Sequence, residues 1–261
     1  MIFLPALALP AAAIHAQGED RQQPQQQRAA KETDLRNWNT EQLYRNGWSA
    51  DEMIGTEVRG SNNEQIGEVK DIFVGRDGRI RRVVVEVGGV LEIGDQHIGV
   101  PWKDVQIGRD MQWVQVPLKE VEDGTFSLFG RIPTGEDVAV PAGAWRVNEL
   151  IGDYASLRDV PRYGMVTDVV FSNQGEAKGV IIRRTAGTWG AAGWYGYPYH
   201  GYYPGAYAHP LPYESADVGD FGRFNYVEFA QRSDLAGRQP QQAKRARQDG
   251  SAAAGGSGKK E

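Results

Sequence analysis

The sequence predicts an all-β chain: two small β-barrels in tandem, flanked by disordered N- and C-terminal arms. Three observations carry this reading. Between residues 50 and 231, short runs rich in Val, Ile and Phe alternate with Gly, Asp and Asn turn signals, and no long amphipathic helix is apparent. The runs also recur 97 residues apart. Met53-Ile54-Gly55 matches Leu150-Ile151-Gly152, and Gly67, Val69, Asp71, Ile72 and Gly78 match Gly164, Val166, Asp168, Val169 and Gly175. Val83-Val84-Val85 then meets Val180-Ile181-Ile182 without an insertion, so the chain reads as two copies of one module. Finally, both flanks are polar and low in apolar periodicity, too poor to offset chain entropy by burial. Small, turn-rich β modules favour closure into a little barrel.

Each element can be justified in order. Met1 to Ala16 is apolar or small apart from His15, then turns polar at Gln17-Gly18-Glu19-Asp20. Sixteen helical residues reach about 24 Å, short of a hydrocarbon core of about 30 Å, and Pro5 and Pro10 weaken a helix further. The order fits the apolar region and cleavage site of a bacterial secretory signal, although the basic region that normally precedes it is missing. The alternative is an apolar first strand. The expected location is periplasmic or secreted, with no transmembrane span in the mature chain.

Residues 17–49 read as a Gln-rich linker, in which Leu35, Trp38, Leu43, Tyr44 and Trp48 could form a short docking helix. Residues 50–118 form the first module. There IGEVKDIFV is a strand, Asp77-Gly78 a tight hairpin turn with both residues at positive φ, and RRVVVEV the return. Residues 119–146 are an interdomain linker whose Phe126, Leu128 and Phe129 could pack between the modules, or lie in a loose connection. Residues 147–231 form the second module and 232–261 a disordered basic tail carrying Lys244, Arg245, Arg247, Lys259 and Lys260.

The residues of the first module resemble the PRC-barrel domain family, shared by the H subunit of photosynthetic reaction centres and a ribosome maturation factor. The resemblance rests on Ile54-Gly55, Gly67-Glu68-Val69-Lys70-Asp71, the strand Val83 to Val87, the loop Gly88 to Gly94 and Val100-Pro101-Trp102. It covers 50–118 closely and 147–231 more loosely. In the second copy, Leu211-Pro212-Tyr213 is read as the counterpart of Val100-Pro101-Trp102, which requires fourteen extra residues before it. Phe224-Asn225-Tyr226-Val227 is read as the final strand, matching Met111-Gln112-Trp113-Val114. The expectation is a closed barrel with one long, mobile aromatic loop at 187–210.

That loop supplies the candidate partner-binding residues: Trp189, Trp194, Tyr195, Tyr197, Tyr199, Tyr202, Tyr203 and Tyr207. Aromatic faces and hydroxyls on a Gly- and Pro-rich backbone suit a protein, glycan or cell-wall contact; packing over the barrel mouth is the alternative. His200 and His209 lack a carboxylate at ligand spacing and make a weak metal set, so neither metal nor cofactor is expected. His97 stands alone. Asp71 and Asp168 invite a paired-carboxylate reading, but their equivalence in both modules argues for a structural job inside each, accepting backbone N–H bonds. The remaining motif positions, Gly55, Gly67, Pro101, Trp102, Gly152, Gly164, Pro212 and Tyr213, read as turn or packing sites.

With 261 residues and no Cys, the chain excludes disulfides, thiolate nucleophiles and cysteine-ligated metals. A net charge of -5 and a pI near 5.5 argue against nucleic acid as a partner. No GxSxG, HExxH or P-loop is present. By resemblance, such barrels make protein–protein contacts and help to assemble complexes. The expectation is an exported, non-catalytic binding or scaffold protein with an unidentified protein partner in the envelope. Binding of an envelope polymer or glycan through the aromatic loop is the first alternative, and an enzyme with an unrecognised carboxylate site the second.

Overall fold

The computed structural model describes residues 35–236, apart from 46, 89–95, 109–110, 123, 135–137, 186–190, 203 and 220–221. The apolar run 1–16, the loop around Gly89-Val90-Leu91 and the tail beyond 236 therefore lie outside the described residues. In chain order, a 3₁₀ turn (Leu35–Asn37) and α1 (Glu41–Tyr44) precede β1 (Gly47–Ser49), α2 (Ala50–Met53), β2 (Glu57–Arg59) and β3 (Gln65–Gly75). Next come β4 (Ile80–Val87), β5 (Gln96–Pro101), a 3₁₀ turn (Trp102–Asp104), β6 (Gln106–Ile107) and β7 (Trp113–Gln115). A hairpin of β8 (Leu118–Glu122) and β9 (Thr125–Leu128) leads to β10 (Ala144–Arg146), α3 (Val147–Leu150), β11 (Tyr154–Ser156) and β12 (Gly164–Ser172). There follow β13 (Ala177–Arg184), β14 (Gly193–Pro198), β15 (His209–Pro210), α4 (Ser215–Val218), β16 (Arg223–Phe224) and α5 (Tyr226–Ala236).

Two seven-stranded sheets organise these elements, in the orders β5-β4-β3-β2-β7-β6 and β15-β11-β12-β13-β14-β16. Their registers coincide at a separation of 97 residues. Val69 faces Val85 and Val83 faces Ile72 in the first sheet; Val166 faces Ile182 and Val180 faces Val169 in the second. Even the irregularities coincide, with register shifts between Val69 and Asp71 and between Val166 and Asp168. Each shift leaves one residue, Lys70 or Thr167, outside the pairing, and such a bulge re-aims the next side chain. Asp71 and Asp168 thereby point inward and are buried. The pairing path is open, running from β5 to β6 in the first sheet, so among the described residues the strands do not close into the expected ring.

The remaining strand of each sheet comes from the other half of the chain. β1 pairs with β12, Trp48 opposite Phe171, while β10 pairs with β3, Trp145 opposite Val74. Trp48 stacks on Phe171 and Trp102, with centroids 5.1 and 5.6 Å away, and its indole N–H donates to Ser172 O at 3.0 Å. Trp145 stacks on Tyr199 and tilts against Tyr202, and the neighbouring Arg146 guanidinium lies 4.8 Å from the Phe73 ring centre. The carboxylates join in. Asp168 Oδ1 accepts the Asp51 N–H at the start of α2, and Asp71 Oδ1 accepts the Asn148 N–H at the start of α3. Each Oδ1 also accepts the N–H of the next residue in its own strand, Ile72 or Val169, so the structural role lies inside each module and spans the halves as well. The two β-turns also pair side by side: Ile80 N–H donates to Gly175 O and Ala177 N–H to Gly78 O, both at 2.8 Å.

Other details differ from the sequence expectation for local reasons. The first hairpin uses positive φ only at Gly78 (75°), with Gly75 and Arg79 bonded across it. That is a type I turn closed by a left-handed glycine, which frees Asp77 from an unfavourable φ. The stretch 35–49 is structured, not a linker. Leu43 and Tyr44 join Val170, Ile181, Phe224 and Phe229 in a second small apolar cluster on the outer face of the second sheet. Tyr226 begins a helix instead of a strand, because Asn225 Oδ1 accepts the N–H groups of Val227 and Glu228. Within the 119–146 segment, β8 and β9 form a hairpin; Phe126 and Leu128 are buried, whereas Phe129 is 64% exposed.

Because each arm completes the opposite sheet, damage should cross the molecule. Trp48→Ala is expected to cost about 3–5 kcal/mol. In hydrogen exchange it should deprotect β12 before β3, and Trp145→Ala should do the reverse. Deprotection of β3 by Trp48→Ala would contradict the observed pairing.

Candidate functional site

The halves differ most in their interiors. The first sheet places Ile66, Val87, Ile98 and Val100 at positions where the second places Tyr163, Arg184, Tyr195 and Tyr197. Where Val114 pairs beside Val58, His209 pairs beside Ala155, and Leu211-Pro212-Tyr213 repeats the hydrogen bonding of Val116-Pro117-Leu118. The counterpart of Val100-Pro101-Trp102 is thus Tyr197-Pro198-Tyr199, at an unchanged separation of 97 residues. No fourteen-residue insertion is needed.

This corrects the aromatic-loop expectation. Gly193–Pro198 is strand β14, paired throughout with β13, and the pleat turns Tyr195 and Tyr197 inward to full burial. Trp194, between them, faces outward at 44% exposure and meets Tyr226 edge-on at 5.7 Å. Tyr199 is half-buried against Trp145; Tyr202 is buried on Trp145 with its hydroxyl donating to Glu149 O at 3.3 Å. Tyr207 alone among the described loop tyrosines is largely exposed, at 74%. Trp189 and Tyr203 lie outside the described residues.

At the centre of the second interior, Arg184 is buried with its guanidinium carbon 3.4 Å from the Tyr195 ring centre. Its Nη1 donates to Tyr163 Oη at 2.7 Å and to Gly219 O at 2.9 Å, and Tyr163 and Tyr197 share a hydroxyl–hydroxyl bond. Burial pushes both tyrosine hydroxyls above their ordinary pKa, so they remain neutral. His200 Nε2 meets Tyr213 Oη at 2.6 Å. His209 is buried with neither ring nitrogen hydrogen-bonded among the described residues, and burial, with a smaller effect from His200, lowers its pKa to about 4. Tyr163, Tyr197 and His209 are held neutral and away from solvent, an arrangement suited to packing more than to proton transfer. Among the described residues no group of three or more His, Asp or Glu is arranged to hold a metal ion.

Asp71 and Asp168 are not equal. Asp71 has Arg146 Nη1 at 3.4 Å; the corresponding position beside Asp168 is Ser49, and Asp168 Oδ2 has no hydrogen-bond partner among the described residues. Burial raises the Asp168 pKa to about 7, against the opposing hydrogen bonds from Ser49 and Asp51. The motif positions sit at turns and close approaches. Gly55 and Gly152 take φ of 89° and 99°, and a Cβ on Gly67 or Gly164 would collide with the neighbouring strand at Glu86 or Arg183. Pro101 ends β5, and Trp102 lies against Trp48 and Gly175. Pro212 and Tyr213 follow β15, with Tyr213 O accepting from Arg158 N–H.

Of the candidate residues, Tyr207 belongs to an exposed stack at the rim of the second sheet whose other members, Tyr154 and Arg162, the sequence did not suggest. Arg162 lies 4.7 Å from the Tyr154 ring centre and 5.9 Å from that of Tyr207, and its Nη2 donates to Tyr207 Oη at 2.6 Å. Tyr154 is 40% exposed. Tyr207 is remote in sequence from the other two, and no local periodicity marks them.

With this geometry in place, comparison with known families finds that residues 47–121 match the PRC-barrel domain. The matched stretch begins on β1, the strand donated to the other sheet. No curated protein matches the chain. Among the described residues, no helix is long and apolar enough to cross a membrane.

Two buried groups set opposite pH dependences. His209, with a lowered pKa, favours folding while neutral, so its contribution is lost as pH falls from about 6.5 towards 4. Asp168, with a raised pKa, favours folding while protonated, so its contribution is lost as pH rises from about 4 through 7. In urea melts between pH 4 and 7, His209→Val should therefore gain stability relative to the native chain towards pH 4. Asp168→Asn should gain towards pH 7. Each change is expected to be on the order of 3 kcal/mol. Parallel pH profiles for native and variant chains would contradict these assignments.

Proposed function

We propose that this chain is an exported, non-catalytic binding or scaffold protein built from two PRC-type modules, and that it contacts a protein partner through Tyr154, Arg162 and Tyr207. The exposed Tyr–Arg–Tyr stack carries the reading. Tyr and Arg are the residue types that dominate protein–protein hot spots, and here they are pre-ordered by a hydrogen bond and two ring contacts. The coincidence of register between the two sheets supports the second module. Export rests on the apolar run 1–16 followed by small residues and a polar start. The non-catalytic reading is supported by the commitment of Asp71 and Asp168 to backbone N–H groups and by the burial of His209.

Crosslinking in native cells, followed by identification of the captured molecules, tests the reading. The native chain should capture a protein of the cell envelope, and Arg162→Ala with Tyr207→Ala should reduce that capture at least tenfold. Undiminished protein capture by the double variant would overturn the assignment of the surface. Loss of a captured glycan, with no protein captured, would favour envelope-polymer binding instead.

A further inference from the structure

A second surface, on the first half of the molecule, is independent of the Tyr–Arg–Tyr stack. The turn between β3 and β4 reads Gly75-Arg76-Asp77-Gly78-Arg79-Ile80-Arg81-Arg82, four arginines in seven residues on a chain of net charge -5. At the corresponding positions the second half has Ser172-Asn173-Gln174-Gly175-Glu176-Ala177-Lys178-Gly179. Both hairpins close with the same backbone bonds, Gly78 N–H to Gly75 O and Gly175 N–H to Ser172 O. The arginines are therefore not needed to make the turn.

Two of them converge on an open cavity of about 540 Å³ between this turn and the backbone of Pro141, Ala142, Gly143 and Ala144. Arg81 lies flat over Gly75, where a Cβ would come within 2.6 Å of Nε and Nη2. Arg76 runs against Gly143, whose Cβ would meet Nε at 3.4 Å; Gly143 also has a φ of 75°. Each guanidinium is thus accommodated by a glycine in the cavity wall. Arg79 points away to Glu176, with a nitrogen–oxygen distance of 3.5 Å. Asp77 holds Arg81 Nη2 at 2.8 Å and is itself fixed by accepting the Arg79 N–H, whereas Arg76 makes no ion pair among the described residues. Among the described residues of its wall, Arg76, Arg81 and Asp77 are the charged ones and together carry one net positive charge. A guanidinium presents five N–H donors, so pinning one edge of Arg81 leaves donors for a ligand.

We propose that this cavity binds an oxyanion, a phosphate or carboxylate group of a small molecule, between the Arg76 and Arg81 guanidiniums. Its volume falls in the range of small-molecule sites, leaving room for an organic part against Pro141 and Ala142. The turn contributes charge and the Pro141–Ala144 segment contributes shape.

The test is a titration of the full chain with inorganic phosphate in one arm and succinate in the other, at constant ionic strength, following the arginine Nε–Hε resonances by NMR. Saturable shifts of Arg76 and Arg81 are expected in at least one arm, and the responding arm identifies the oxyanion. Arg76→Gln should weaken that binding at least tenfold, while Arg79→Gln should leave it within twofold. Non-saturating shifts in both arms, or equal binding by Arg76→Gln, would overturn the proposal. Thermal melts of the variants distinguish lost binding from lost fold: equal melting temperatures with lost binding support the site, and a lowered melting temperature that accounts for the loss overturns it.

Discussion

The rest of the architecture depends on the exchange of two tryptophan-bearing arms. β1 and α2 complete the second sheet, and β10 and α3 complete the first. A three-residue strand has too few hydrogen bonds and too little apolar surface to hold its place alone. Trp48 and Trp145 supply the missing burial, and the two inward carboxylates tie each short helix to the sheet that it crosses to. Because both arms belong to one chain, the exchange is intramolecular, and the pairing avoids the entropy of bringing two molecules together. Neither half is complete without the other.

That shared frame makes the departures from symmetry informative. Where both halves must do the same job, residues coincide: Gly55 with Gly152, Asp71 with Asp168, Trp48 with Trp145. Where the frame makes no demand, they diverge. The first interior is aliphatic, while the second is an Arg184–tyrosine network with a buried His209 whose ring nitrogens make no hydrogen bond among the described residues. Exposed polar chemistry has diverged as well, with the arginine-rich turn in one half and the Tyr154–Arg162–Tyr207 stack in the other. Differences of this kind lie outside what folding requires and are the natural places for binding.

The β class, the turns and the 97-residue spacing were legible in the sequence because they are local patterns. The partner of each strand was not: Gly47-Trp48-Ser49 would suit either sheet, and only tertiary packing decides. The aromatic segment was misread for a specific reason. A Pro followed by an aromatic occurs in both Tyr197-Pro198-Tyr199 and Leu211-Pro212-Tyr213, and choosing the second created a false insertion. The alternation in Gly193-Trp194-Tyr195-Gly196-Tyr197 was a strand signal, since the buried tyrosines are two apart. Tyrosine density drew attention to exposure, whereas Tyr195, Tyr197 and Tyr202 fill the interior. Arg184 went unnoticed because Tyr163 and Gly219 are remote from it in sequence, and Tyr154 and Arg162 because no periodicity links them to each other or to the distant Tyr207.

The most direct measurement exploits the absence of cysteine from the chain. Ser49 faces Val170 across β1 and β12, whereas pairing within one half would place it opposite Phe73, as Arg146 is. Cross-strand neighbours lie close enough for a disulfide to form. Under mild oxidation, the double variant S49C/V170C should form an intramolecular disulfide and S49C/F73C should not. Efficient closure of S49C/F73C, with V170C remaining a free thiol in its own pair, would contradict the exchange of arms.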